Sequence, residues 1–124
     1  MTELATLEVE AGETTIAHLA GELDLSNTPE LGNRLLDSVT NRARALLLDL
    51  RETTYLDSSG IQLIFDLAEK MRGRRQHLHL LVDEGSFVAE VLGTVAVTDV
   101  ARVHTELAKA LRSAESQDRP MSER

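Results

Sequence analysis

The chain has 124 residues, enough for one domain with a single modest core, and 42% of them are apolar. A net charge of −8 argues against direct nucleic-acid binding, which needs a basic face, and suits a basic protein partner instead. The absence of cysteine excludes a disulfide framework, a thiol nucleophile and a cysteine zinc site, and two Phe, one Tyr and no Trp leave few rings for stacking bases or sugars.

Residues 4–10 set Leu4, Thr6, Glu8 and Glu10 against Ala5, Leu7 and Val9, an alternation that predicts a half-buried strand. Ala11-Gly12-Glu13 reads as a turn and Thr14 to Leu19 as a second strand, so the pair forms a hairpin. Gly21-Glu22-Leu23-Asp24 is expected as a loop. Thr28 followed by Pro29 marks a helix start, with the hydroxyl as cap and proline at the first helical position. Leu31, Leu35, Leu36 and Val39 supply the apolar stripe of that helix.

Ala45 to Leu50 is an apolar run of strand length, apolar nearly throughout as a central buried strand should be. A helix follows from about Ser58 to Arg72, with Ile61, Ile64, Phe65, Ala68 and Met71 on one arc and Leu63 roughly opposite, among Gln62, Asp66 and Lys70. Gly73 is expected at its C-terminal end beside Arg72, Arg74 and Arg75, where the helix dipole favours cations. His77 to Val82 alternates into another strand, Ser86 can cap a short helix, Val100 to Val103 reads as a last strand, and Thr105 to about Ser113 as a final helix. Residues 1–113 are therefore expected as the domain, and residues 114–124 as a polar, disordered tail. The order of elements predicts an α/β fold: an N-terminal hairpin, then alternating helices and mostly parallel strands in one mixed sheet with helices packed against it. No apolar stretch approaches the roughly 20 residues of a membrane span, and no basic-then-apolar leader opens the chain, so a cytoplasmic location is expected.

Asp57-Ser58-Ser59-Gly60 lies where the buried strand hands over to the amphipathic helix. An Asp at that point can accept from the first backbone N–H groups of the helix, leaving the Ser58 hydroxyl at its positive end. Gly60 costs roughly 1 kcal/mol relative to Ala inside a helix, which asks for a compensating close approach. Local geometry alone leaves two readings open, a well-capped helix and a modifiable hydroxyl.

Leu48-Asp49-Leu50, then Leu56-Asp57-Ser58-Ser59-Gly60-Ile61, resembles the signature of the anti-sigma factor antagonists, bacterial members of the STAS domain family. Gly21-Glu22-Leu23-Asp24 with Thr28 resembles the family's first loop and helix. The stretch Val97-Thr98-Asp99-Val100, with Val103, His104, Leu107, Ala110 and Leu111, resembles its closing strand and helix, so the likeness spans about residues 4–112. The resemblance implies a STAS-type sheet and a non-enzymatic switch. The partner would be an anti-sigma factor that is a serine kinase; it would phosphorylate Ser58, and a serine phosphatase would reset the site. It also implies that Asp24 and Asp57 engage the kinase. Ser59, Gly60 and Leu63 complete the expected partner-facing set: Ser59 as a structural part, and Leu63 as an exposed apolar anchor within two turns of Ser58. The chain departs from the family in having Asp83-Glu84-Gly85 where relatives usually carry a proline loop, and Val95-Ala96 where they usually carry Thr-Gly. These differences bear on partner choice.

No cofactor or metal is expected. His18, His77, His79 and His104 lack carboxylates at suitable spacing and read as solvated strand histidines, and no G-x-S-x-G elbow or glycine-rich phosphate loop is present. A monomer or weak dimer with no nucleic-acid or membrane contact is expected. The alternatives are a STAS scaffold in a larger signalling or transport complex, and a small-ligand or nucleotide sensor using the strand-end loops.

Overall fold

The structure, a computed structural model, describes residues 6–10 and 13–116. Strands β1 (Thr6–Glu10), β2 (Thr14–Leu23), β3 (Ala45–Leu56), β4 (His77–Leu81) and β5 (Arg102–His104) form one sheet in sequence order. β1 pairs antiparallel with β2, and β2 to β5 run parallel. Helices α1 (Thr28–Ser38), α2 (Ser58–Gly73) and α3 (Phe87–Thr94) link the parallel strands, a short 3-10 turn (Val97–Asp99) precedes β5, and α4 (Leu107–Ser116) follows it. The expected hairpin and the helix–strand alternation are both present, and the fold is mixed α/β.

β3 is the keystone. Ala45 to Leu50 are all buried because helices cover the strand on both faces. Leu46, Leu48 and Leu50 enter the main core with Leu35 of α1, Ile64 and Met71 of α2, and Leu92 of α3. Leu47 points the other way, into a smaller cluster with Leu81 and Ala110 that α4 closes. Each leucine so buried contributes roughly 1.5–3 kcal/mol over its exposed state, which is why an uninterrupted apolar run marks the central strand.

Several boundaries differ from expectation for identifiable reasons. β2 does not stop at Leu19; it runs through Gly21 and Glu22 to Leu23, paired with β3, and absorbs two register shifts, with Gly21 at φ 105°. The expected loop at 21–24 therefore begins only at Asp24. β3 likewise continues past Leu50 to Leu56, and the buried Thr53 hydroxyl donates to the Leu19 carbonyl at 2.9 Å to hold the irregular stretch. Thr28 is not the cap of α1. The cap residue is Asn27, whose side chain turns back instead, accepting from the Asp24 N–H at 3.1 Å and donating to the Glu22 carbonyl at 2.7 Å. Gly73 closes α2, but the left-handed residue beyond the helix is Arg75 (φ 61°), with Gln76 N–H donating to the Met71 carbonyl at 2.8 Å and Arg75 N–H to that of Arg72 at 3.0 Å. The last strand lies at 102–104 rather than 100–103, and α4 passes the expected domain end, with Ala114 buried in it. Leu4 and Ala5, the Ala11-Gly12 half of the expected turn, and residues 117–124 of the expected tail lie outside the described residues.

Candidate functional site

The parallel register sets Leu23 opposite Leu56, so the residues that follow, Asp24 and Asp57, leave adjacent strands at the same edge. The Asp57 N–H donates to the Leu23 carbonyl at 3.2 Å and ties the two exits together. Each Asp then folds the chain in the same way. Asp57 Oδ1 accepts from the Ser59 N–H at 2.9 Å, the Gly60 N–H at 3.4 Å and the Ser59 hydroxyl. Asp24 Oδ1 accepts from the Ser26 N–H at 2.9 Å and the Ser26 hydroxyl, while the Asp24 carbonyl accepts from the N–H groups of Asn27 and Thr28. A carboxylate that satisfies the next turn's donors is the mechanism by which Asp starts helices and turns. At Asp57 the Ser59 hydroxyl, opposed by desolvation and helped by the Ser59 and Gly60 N–H groups, holds the carboxyl below its ordinary range.

These bonds separate the two serines. Ser59 is half-buried with its hydroxyl on Asp57, whereas Ser58 is exposed, and among the described residues no group engages its hydroxyl. Gly60 is buried against the strand exits; a Cβ there would stand 2.8 Å from Leu56 Cβ and 3.2 Å from Leu23 Cβ. The compensation expected for this glycine is thus the close approach of the β2 and β3 ends.

Leu63 corrects an expectation. It is 7% exposed, not a surface leucine, because the buried stripe of α2 is Gly60, Leu63, Ile64, Leu67, Ala68 and Met71, rotated from the arc read in the sequence. Phe65 and Ile61, placed on that arc, are only half-buried. The rotation follows from α1, which lies against α2 and brings Gly32 so close that a Cβ there would meet Leu63 Cδ1 at 2.9 Å. Leu63 and Leu67 line a groove of about 430 Å³ between the two helices, with Leu25, Pro29 and Ser59 also on its walls.

Other polar groups were not anticipated. Asp49, the one charge in the apolar run of β3, is 6% exposed and bound by Arg51 (2.9 and 3.0 Å) and His18 (2.8 Å). Burial opposes its ionisation, but the Arg51 side chain and N–H, with His18, outweigh this and hold the carboxyl below its ordinary range. His79 is not solvated; it is fully buried and stacked on His104, Nδ1 to Nε2 at 3.1 Å. Among the described residues no group of three or more His, Cys, Asp or Glu is arranged to hold a metal, and no helix is long and apolar enough to cross a membrane. A lone charge in a buried strand was the available signal for Asp49; nothing local distinguished His79 from the exposed His77.

The sequence matches the family described as "Mlab, STAS domain" over residues 7–113. The chain belongs to the STAS domain family. No curated protein matches it significantly in sequence. Among solved structures, an anti-sigma factor antagonist from Mycobacterium paratuberculosis is similar at TM-score 0.79 and 19% identity, covering 90% of this chain and 94% of that one. The Bacillus cell-fate determinant SpoIIAA in its phosphorylated form is similar at TM-score 0.61 and 19% identity, covering 88% and 98%. A sulfate transporter family protein from Wolinella succinogenes is similar at TM-score 0.73 and 18% identity, covering 90% and 92%. At these identities the likeness is one of fold, and it shows the STAS sheet serving both regulators and transporters.

Proposed function

We propose that this STAS domain is an anti-sigma factor antagonist switched by phosphorylation of Ser58. Unphosphorylated, it binds an anti-sigma factor that is a serine kinase, and the sigma factor is released. The observation that carries the reading is the division of labour at the start of α2. Asp57 and Ser59 satisfy each other and the helix N-terminus, which leaves the Ser58 hydroxyl exposed with no structural task. The phosphorylated relative of the same fold supports it.

A phosphoryl group on Ser58 adds about −1.5 to −2 charge and three acceptor oxygens. The helix N-terminus tolerates such charge, so the fold persists. The partner does not tolerate it, because a kinase holds the attacked hydroxyl against the terminal phosphate of its nucleotide, and a second phosphoryl group there meets like charge. A loss of only about 3–4 kcal/mol lowers affinity a few-hundred-fold. A serine phosphatase resets the switch, and Asp24, beside Asp57 at the same edge, contributes to the partner contact.

Incubation with a cognate anti-sigma factor kinase and ATP tests this. Phosphate is expected on Ser58 and not Ser59. Ser58→Ala should bind without being modified, and Ser58→Asp should bind weakly. Parent-like binding by Ser58→Asp would remove the charge mechanism, and phosphate elsewhere would remove the site. A scaffold role in a transport complex is the second reading, favoured by the likeness to the Wolinella protein. It predicts no phosphate on Ser58 and recovery of the chain with membrane proteins.

A further inference from the structure

Five large hydrophobic side chains are exposed among the described residues, and three of them share the edge that carries Ser58: Leu25 (74% exposed), Tyr55 (41%) and Phe87 (49%). Leu25 follows β2, Tyr55 is the penultimate residue of β3 and Phe87 opens α3 after β4, so the parallel order of these strands gathers them. Tyr55 and Phe87 stack with ring centroids 5.6 Å apart and planes 12° from parallel. The chain contains only three aromatic rings of the Phe and Tyr kind. Spending two of them on an exposed stack, in a protein whose core is built from leucine, points to a binding surface.

The three chain segments that meet at the stack carry only acidic charge. Residues 22–28 hold Glu22 and Asp24, residues 52–59 hold Glu52 and Asp57, and residues 83–90 hold Asp83, Glu84 and Glu90, with no Lys, Arg or His in any of the three segments. Glu22 is the cross-strand neighbour of Tyr55. The adjoining cation, Arg51, binds Asp49 through two side-chain contacts and also feels Asp83 and Glu52, so it offsets part of this charge, but the acids outnumber it. An acidic edge with a flat π surface fits a planar cation, which stacks on ring faces while its N–H groups reach carboxylates.

We propose that the exposed Tyr55–Phe87 stack receives an arginine side chain of the protein partner that reads Ser58, the surrounding acids steering a basic docking surface onto it. The inference rests on the reading of this edge as partner-facing and adds the chemistry of the partner. It also assigns a role to the Asp83-Glu84-Gly85 loop, which supplies two of the acids next to Phe87.

Tyr55 is the only tyrosine and no tryptophan is present, so phenol emission reports on this site alone. The whole chain is titrated with acetyl-Arg-Arg-amide to millimolar concentration, and in parallel with its neutral citrulline counterpart. A saturable emission change is expected with the arginine peptide only, weakened by salt and lost in Phe87→Leu. No change, or an equal change with citrulline, overturns the proposal. With the kinase, Tyr55→Leu and Phe87→Leu keep apolar bulk and should weaken binding roughly 3- to 30-fold, while Ser58 is still modified at saturating kinase. Unchanged affinity overturns the platform, whereas failure of the parent to be phosphorylated overturns the functional reading and leaves the peptide titration to decide the platform. Self-association of the parent that disappears in Tyr55→Leu would assign the stack to a dimer contact and also overturn the proposal.

Discussion

Gly60 and Ala96 occupy two backbone positions that ask for glycine, and only one has it. At Gly60 the demand is steric: a Cβ would press on Leu56 Cβ and Leu23 Cβ, atoms too close to the backbone to move aside. Alanine gains up to about 1 kcal/mol in helix propensity, against roughly 1–3 kcal/mol for overpacking. Gly60→Ala should therefore lower stability by about 1–2 kcal/mol. At Ala96 the demand is conformational, since φ 56° and ψ 38° are left-handed. That conformation costs a residue with a Cβ roughly 1–2 kcal/mol. Allowing for the greater freedom glycine gives the unfolded chain, Ala96→Gly should raise stability by about 0.5–1 kcal/mol. Urea midpoints of the two variants should fall on opposite sides of the parent. The same sign for both would refute the account of at least one.

At the scale of elements, the order and kind of every helix and strand after the first turn were legible, because apolar periodicity and caps are local signals. Asp57 and Ser86 were readable as caps, and both accept helix N–H groups. What failed was information held by neighbours. The ends of β2 and β3 depend on a bulged pairing that keeps Gly21 to Leu23 in the sheet, although their composition reads as a loop. The orientation of α2 depends on α1, which covers Leu63 and Leu67, so a stripe read from one helix alone is centred on the sheet-facing side and misses the other contact. The Tyr55–Phe87 stack joins residues 32 positions apart and has no trace in either segment. The free hydroxyl expected of Ser58 at the helix start was readable, whereas the bond that engages the Ser59 hydroxyl with Asp57 was not. The burial of Leu63 carries a prediction: Leu63→Ala should cost about 2–4 kcal/mol, while Leu63→Met should retain most of the stability. A surface anchor would instead weaken partner binding and leave thermal unfolding unchanged, so unfolding curves of the isolated variants separate the two roles.

Over the whole molecule, the shielded titratable groups Asp49, His79 and His104 are kept apart from the acids at the strand exits, and stability responds to the protons of the shielded set. The acids around Ser58 lie at the strand exits, whereas Asp49 follows Leu47 by strand alternation onto the face that α4 covers, and His79 is the register partner of Leu47. Burial, with Arg102 nearby, holds His104 below its ordinary 6.5. The folded chain then resists a proton that the unfolded chain accepts, so this contribution is complete above 6.5 and is lost as pH falls from there through the folded value. Asp49 is held below its ordinary 3.8, so its contribution is complete above 3.8 and disappears as pH falls further. Denaturation midpoints should be flat in alkaline to neutral buffer, decline first below about pH 6.5 and again below about pH 3.8. His104→Gln should erase the first decline and keep the second. Asp49→Asn should shrink the second, leaving the share that Asp57 carries, and lower stability at neutral pH, since Arg51 and His18 lose their charged partner. A single decline confined to the carboxylate range, or a first decline that survives His104→Gln, would show that His104 is not the group that senses those protons.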